Sequence, residues 1–400
     1  MSQTSTSISF LIGAGFSAPK GYPTGRKLNS LIMNSKNENI AFHTSGSLVI
    51  NTDGTKPDLG FKSSHQIEFD FFCKLVEYYN ARNKEFDYEE FYDYITNDLY
   101  LDASARRIAE TFANNKRSVD SLFSGQKKIL NQLATCYLKD REGKKFYDDL
   151  PYLADKYYSG YTGIMNCVSE LSNRHIINIH TLNHDLFFES FNHTDFLKGE
   201  LCDGFEELGS KYFGKLDVEG RSYMVRLERY TGNYNGKFRL YKLHGSLDYE
   251  LFYRTEKGTF VPDVYIKSRY GIGHTNQFKE VNFTNSEMGY QNSWINYHSD
   301  FLAGTTSKIK RYNEPLLFNK LVDEFRKNLE NSEKLIIIGY GGRDKEINRM
   351  IFQHHRFWRN QIVIVDPYPG EILVDLAWKL QARIIRKQLN DIQLKDLWPD

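Results

Sequence analysis

The chain has few cysteines, and none of them form closely spaced pairs. Its 400 residues contain only four, Cys73, Cys136, Cys167 and Cys202. A structural zinc site built on cysteine pairs needs a Cys-x-x-Cys spacing, which does not occur. A disulfide scaffold is disfavoured at this length, so we expect reduced thiols and no metal.

The sequence also lacks a charge excess and any long apolar run. Lys and Arg number 52 and Asp and Glu 51, a net charge of +1, which gives no indication of direct nucleic-acid binding. The longest aliphatic runs, Leu335–Ile338 and Ile362–Val365, are too short to cross a bilayer. The polar start of the chain does not resemble a signal peptide. We therefore expect a cytoplasmic protein without membrane contact.

Hydrophobic periodicity predicts alternating strands and helices at both ends of the chain. Strands are predicted at 8–12, 175–179, 238–243, 259–266, 335–338 and 362–365, and helices from about 25 and at 186–192, 317–329, 347–358 and 373–380. Thr24 is the expected N-cap of the first helix, and Trp358 is expected to line the fourth. This alternation is typical of a doubly wound parallel sheet.

Two insertions interrupt the alternation. Residues 35–66 are polar and predict a long loop, whereas 67–173 have helical periodicity. We expect 35–173 to form a mainly helical insertion. The remainder, 1–34 and 174–400, would form one α/β domain, with an irregular β-containing insertion at 199–312.

A glycine-rich turn follows the first predicted strand. Gly13-Ala-Gly-Phe-Ser-Ala18 matches G-x-G-x-x-[G/A], a turn that lets the backbone approach a pyrophosphate. The pattern is weak alone, and a tight structural turn remains an alternative. A nicotinamide oxidoreductase also needs an acidic residue after a second strand, but Glu38 follows no predicted strand, so hydride transfer is disfavoured.

Polar residues follow the other predicted strands, where ligands of parallel sheets bind. Thr181, Asn183 and Asp185 follow one strand, and they would either cap a helix or contact a ribose. His244 ends another strand, as a structural histidine or a general base. Asp344, after the Gly339-Tyr-Gly-Gly loop, is the expected N-cap of the next helix, and Asp366 would cap a turn or accept a ribose hydroxyl.

Taken in order, these segments resemble the sirtuin family, in particular its bacterial sirtuin-like branch. The resemblance is carried by Gly13–Ser17 with Gly21–Gly25, by Thr181-x-Asn183-x-Asp185, by Lys242–Ser246, and by Gly339-Tyr-x-x-x-Asp344. It implies a Rossmann-like fold that binds NAD as a substrate at the carboxyl edge of the sheet.

The resemblance also implies roles for individual residues. Gly13, Ala14, Gly15 and Ser17 would hold the phosphates, and Asn183 and Asp185 would surround the nicotinamide ribose. His244 would match the catalytic histidine. Gly339, Tyr340, Asp344 and Asp366 would border the adenosine half. The same motifs place Phe16, Pro23, Thr24, Thr181 and Gly341 among the expected NAD-binding residues.

Two departures from ordinary sirtuin deacetylases favour a different activity. Thr24-Gly25 stands where those enzymes have a Phe-Arg pair, and the cysteine pairs that bind zinc are missing. The zinc-free branch implies an NAD glycohydrolase that depletes NAD in anti-phage defence. It would act as a homo-oligomer beside a partner such as an HerA-type ATPase or a short Argonaute. Transfer of ADP-ribose or an acyl group to a protein, or a catalytically silent NAD-sensing scaffold, are the alternatives.

Overall fold

The computed structural model describes most of the chain. The described residues are 6–36, 39–42, 48–50, 65–115, 117–139, 158–218, 220–267, 279–284, 287–291, 297–358 and 361–398. Glu38 and most of the polar stretch predicted as a loop at 35–66 lie outside them, as does part of the predicted helical insertion.

Strands and helices alternate mainly towards the two ends of the described chain, with a run of helices and then a run of strands between them. The strands are β1 (Ser7–Ile12), β2 (Ile40–Phe42), β3 (Leu48–Ile50), β4 (Ile176–Thr181), β5 (Leu201–Cys202), β6 (Gly204–Glu206), β7 (Tyr212–Val218), β8 (Arg221–Arg226), β9 (Glu228–Asn233), β10 (Phe238–Lys242), β11 (Gly245–Glu256), β12 (Thr259–Lys267), β13 (Lys279–Thr284), β14 (Glu287–Gln291), β15 (Tyr297–Phe301), β16 (Ser332–Ile338), β17 (Gln361–Val365) and β18 (Arg383–Ile385). The helices are α1 (Gly25–Met33), α2 (Gln66–Arg82), α3 (Tyr88–Asp93), α4 (Ala103–Phe112), α5 (Val119–Lys139), α6 (Thr162–Leu171), α7 (Phe187–Ser190), α8 (Ser307–Arg311), α9 (Phe318–Asn331), α10 (Lys345–His354), α11 (Glu371–Lys379) and α12 (Leu394–Leu397).

The described residues fall into two compact units. The first lies within Met1–Pro19, Tyr147–Leu302 and Arg311–Asp400, and the second within Lys20–Phe146 and Ala303–Lys310. The domain boundaries expected from the sequence, after residues 34 and 173, stay a prediction. No helix in the described part of the chain is long and apolar enough to cross a membrane.

The first unit is built on a seven-stranded parallel sheet. Its strand order is β18-β17-β16-β1-β4-β10-β5, and every neighbouring pair is parallel. The chain builds outward from β1 in both directions, so the order reverses between β1 and β16. The predicted Rossmann-like doubly wound sheet is thereby confirmed, and the reversal marks the edge where such sheets bind ligands.

Both faces of this sheet are covered. Leu11, Ile337 and Ile364 point toward one face and join a core cluster with residues of α9 and α10. Their neighbours Phe10 and Ile338 point to the opposite face and are also buried. Burial on both faces explains why these strands are continuous aliphatic runs rather than alternating polar and apolar residues.

Antiparallel sheets occupy much of the segment 199–312. One has the order β15-β11-β12-β9-β6 and the other β14-β13-β7-β8. The predicted β-containing insertion is confirmed, and it is more regular than the sequence indicated. β11, for example, is a strand of 12 residues.

The second unit is mainly helical. α2 packs against α4 and α5 through stacked aromatic rings such as Phe71 and Phe123, whose centroids lie 5.9 Å apart. Asp93, at the end of α3, accepts hydrogen bonds from the backbone N–H groups of Thr305 and Thr306 at 2.9 and 2.7 Å. The carboxylate thus holds segment 303–310 in this unit.

Local sequence signals located the starts of two helices. Thr24 is the N-cap of α1, accepting a hydrogen bond from the Lys27 N–H, and Asp344 is the N-cap of α10. The expectation that Trp358 lines this helix is wrong. α10 ends at His354 because His355 adopts extended backbone, and Trp358 is left 79% exposed.

His180 on β4 is a buried imidazole without a hydrogen bond. Its ring stacks on Tyr241, with centroids 4.8 Å apart, and packs against Phe325 of α9. Neither ring nitrogen has a hydrogen-bond partner among the described residues. Burial lowers the pKa of His180 from 6.5 to about 3, because the charged ring would lose its hydration.

This burial predicts a pH-dependent stability. Between about pH 6.5 and pH 3, the unfolded chain binds a proton at His180 that the folded chain does not, so the free energy of unfolding falls as the pH falls. His180→Phe keeps an aromatic ring and removes this proton site. From pH 7 to pH 5 the variant should lose about 2 kcal/mol less stability than the wild type in urea titrations.

Each protein is compared with itself at two pH values, so any packing cost of the larger phenylalanine ring cancels. Between pH 7 and pH 9 the stability change should be the same in both proteins, which serves as the internal control. An equal loss from pH 7 to pH 5 in both proteins would contradict the assignment.

Candidate active site

Two glycine loops meet where the strand order reverses. The Gly13 N–H donates to Ile338 O at 3.0 Å, and the Gly15 N–H donates to Gly339 O at 2.9 Å. A Cβ on Gly13 would lie 2.7 Å from Gly339 O, and one on Gly15 would lie 2.8 Å from Gly339 Cα. Both positions therefore require glycine because the two backbones are in contact, and this holds independently of any ligand.

Ser17, Asn183 and Asp185 form a buried hydrogen-bonded cluster beside the first loop. The Asn183 Nδ2 amide donates to Gly13 O and to Ser17 Oγ, each at 3.1 Å. The Ser17 hydroxyl in turn donates to Asp185 Oδ1, also at 3.1 Å. The ends of β1 and β4 are thus joined through side chains that the sequence places 168 residues apart.

A buried lysine supports this cluster from β10. Lys242 Nζ donates to the backbone carbonyl of Asp185 and to Glu189 Oε1, the latter at 2.7 Å. Burial raises the pKa of Asp185, although Lys242 and the hydrogen bonds from the Phe187 N–H and Ser17 oppose the rise. Burial likewise raises the pKa of Glu189 against the attraction of Lys242.

His244 lies at the end of β10 with its ring held among polar side chains. Its Nε2 lies 3.1 Å from the Tyr312 hydroxyl and 3.5 Å from Asp344 Oδ2. The His184 ring, between Asn183 and Asp185 in sequence, lies 6.2 Å away between centroids. The His184 ring thus lies between the Ser17 cluster in sequence and His244 in space, and it packs more closely on Phe301, with centroids 4.8 Å apart.

The loops after β16 and β17 carry the remaining candidate residues of the first unit. Asp344 Oδ1 accepts hydrogen bonds from the Glu346 and Ile347 N–H groups, and the Tyr340 hydroxyl donates to the Asp344 carbonyl. A Cβ on Gly341 would meet nothing within 4 Å. Asp366, at the end of β17, accepts a hydrogen bond from the Tyr368 N–H, and no contact joins it to the other candidates among the described residues.

Other candidates have structural contacts. The Phe16 ring is buried against Tyr161 and Phe187, and Ala14 O accepts from the Ser17 N–H in the same turn. Thr181 Oγ1 accepts a hydrogen bond from the Asn183 N–H and so shapes that loop. Pro23 and Thr24 belong to the second compact unit.

Several polar groups of the first unit lie at one edge of its parallel sheet. An amide, a hydroxyl, two carboxylates and an imidazole converge at one edge of the sheet. In the described part of the chain, no group of three His, Cys, Asp or Glu side chains could hold a metal ion. Hydroxyl recognition with one titratable base is what this arrangement can perform.

Sequence reasoning missed two residues of the site. Lys242 belongs to the Lys-Leu-His-Gly-Ser segment that also contains His244. Its position in that motif could have indicated a role in the site. Tyr312 has no such signal, because it follows α8 rather than a strand of the parallel sheet. Only the folding of 311–312 back onto β10 brings its hydroxyl to His244.

Comparisons with known proteins identify structural neighbours only. No protein-family model matches the sequence, and no curated protein matches it. Similar solved structures include a Sir2 homologue in complex with NAD, with 10% identity, 98% of this chain and 89% of that chain covered, and a TM-score of 0.39. A structure on the mechanism and regulation of Sir2 enzymes has 13% identity, coverages of 98% and 91%, and a TM-score of 0.35. At these scores the fold assignment rests on this chain's own strand order.

Because the two glycine loops are in contact, alanine substitutions at Gly339 and Gly341 should have very different effects on stability. Gly339 has φ +62°, and its Cβ would lie 2.8 Å from Gly15 Cα, whereas a Cβ on Gly341 has open space. Gly339→Ala should lower the free energy of unfolding by about 2 kcal/mol or more. Gly341→Ala should leave it unchanged or raise it by up to about 1 kcal/mol. Denaturant unfolding of both variants checks this, and equal effects would contradict the packing role.

Proposed function

We propose that this chain hydrolyses NAD at the nicotinamide–ribose bond, releasing nicotinamide and ADP-ribose. The observation that carries the proposal is the hydrogen-bonded cluster of Ser17, Asn183 and Asp185 after β1 and β4, at the same edge of the parallel sheet as His244, which follows β10. These are the residues that the sirtuin resemblance assigns to the phosphates, the ribose and catalysis.

The proposed reaction breaks the bond between ribose C1′ and the nicotinamide nitrogen. The bonding electron pair passes to nicotinamide, leaving an oxocarbenium-like sugar. Asn183 and Asp185 orient the ribose or the attacking water, and a carboxylate near the sugar stabilises its positive charge. The water oxygen bonds to C1′, and its proton passes to His244 directly or through a ribose hydroxyl.

The remaining candidates would hold the rest of the substrate. Gly13, Ala14 and Gly15 would lie along the pyrophosphate, and Gly339, Tyr340, Gly341, Asp344 and Asp366 would border the adenosine. Phe16 and Thr181 would shape the same site.

The biological part of the proposal rests on the sequence resemblance alone. We propose an NAD-depleting effector of anti-phage defence that works in the cytoplasm as a homo-oligomer. Its partner would be an HerA-type ATPase or a short Argonaute, which would also supply the trigger.

Incubation with NAD, with and without candidate partners, tests the activity. Free nicotinamide and ADP-ribose are measured by chromatography. We expect equimolar release, reduced about 10²–10⁴-fold in His244→Ala and Asn183→Ala, because each removes a group acting on the reacting bond. His193→Ala, at an exposed histidine, is the matched control and should retain activity.

Other outcomes separate the alternatives. Labelling of a protein by ADP-ribose in place of free ADP-ribose would indicate transfer. NAD binding without release under every condition would indicate a sensor or scaffold. Wild-type turnover in both active-site variants would contradict the assigned residues.

A further inference from the structure

We propose that Asp344 and Tyr312 are positioning residues that hold the His244 imidazole by its Nε2 atom. The inference rests on the proposed function for its catalytic consequence, but the positioning itself is a property of the fold. Asp344 would then position His244 in addition to any contact with adenosine, and Tyr312 would have a role in the same positioning.

The Asp344 carboxylate caps a helix with one oxygen and places the other near His244. Oδ1 accepts the N–H groups of Glu346 and Ile347 at 3.0 and 3.1 Å, which caps α10. Oδ2 lies 3.5 Å from His244 Nε2, and both side chains are almost fully buried. Because the first turn of α10 fixes Oδ1, the position of Oδ2 relative to the imidazole is fixed as well.

The Tyr312 hydroxyl is held in place through the preceding residue. The Arg311 guanidinium makes two hydrogen bonds with Asp300, at 2.9 and 2.7 Å, and further ones with Glu314. It also stacks over the Phe318 ring, 4.9 Å from its centroid. A planar guanidinium that is bound on two sides has little freedom, so it restricts the backbone from which the Tyr312 side chain extends.

The Asp344 carboxylate near Nε2 favours one of the two neutral forms of the imidazole. A carboxylate only accepts hydrogen bonds, so it favours an N–H at Nε2, whereas the Tyr312 hydroxyl can accept from or donate to that nitrogen. In the form that Asp344 favours, Nδ1 is the basic nitrogen that takes the proton from water. The carboxylate also favours the imidazolium that results. His184, 6.2 Å away between ring centroids, is the other ionisable ring that faces His244.

Nuclear magnetic resonance of the full chain with ¹⁵N-labelled histidine tests the positioning without relying on activity. The His244 signals are assigned from a His244→Gln sample. We expect the Nε2–H tautomer in the wild type. Asp344→Asn should lower the titration midpoint of His244 by about one pH unit, because the carboxylate charge is lost.

Asparagine caps helices as well as aspartate does, so this variant retains α10. Asp87→Asn is the matched control. Asp87 caps α3 in the same way, through the Glu89 and Glu90 N–H groups, and its change should not affect His244.

Kinetics then link positioning to catalysis. Asp344→Asn should lower kcat for NAD hydrolysis about 10²-fold, and Tyr312→Phe about 10-fold, with little change in KM. A tautomer and midpoint of His244 unchanged in both variants would overturn the inference, and so would unchanged kcat in both. If the His244 signals shift as expected but the wild type never hydrolyses NAD, the positioning stands and the proposed function fails.

Discussion

The backbone contact between the loops after β1 and β16 is the constraint on which the site depends. Gly15 N–H donates to Gly339 O at 2.9 Å, and side chains on Gly13, Gly15 or Gly339 would collide with the opposite backbone. Only glycine, which has no Cβ, allows the two backbones to come this close. This contact brings the turn that carries Ser17 beside the loop that leads to Asp344.

Burial of so many polar groups at one edge is costly unless each is paired. Asn183, Ser17 and Asp185 satisfy one another, and Lys242 neutralises Glu189 while donating to the Asp185 carbonyl. Removing one partner from such a network leaves a desolvated group, which costs more than an ordinary hydrogen bond contributes. The same dry surroundings strengthen any interaction with charge that develops during a reaction.

Much of the parallel sheet could be predicted because its signals are local. The runs ending at Ile12, Ile338 and Val365 are aliphatic and of strand length, and each is followed by a turn residue. Thr24 and Asp344 mark helix starts because their side chains accept hydrogen bonds from the next turn. Trp358 was misplaced because apolar spacing continues past His354 while the backbone does not. The 12-residue strand β11 was missed, since its buried Asp248 and Glu250 do not resemble a strand.

By itself, the sequence determined the element types, the glycine turns and the polar residues at the strand ends, because periodicity, caps and turn chemistry act over a few residues. The parallel-sheet rule then placed those residues on one edge. Only the tertiary structure decided which of them touch. It joined Ser17 to Asn183 and Asp185, paired His244 with Tyr312 and Asp344, left Asp366 with its own turn, and placed Thr24 in the other compact unit. Such contacts depend on strand order and on how distant segments fold back, which no local pattern encodes.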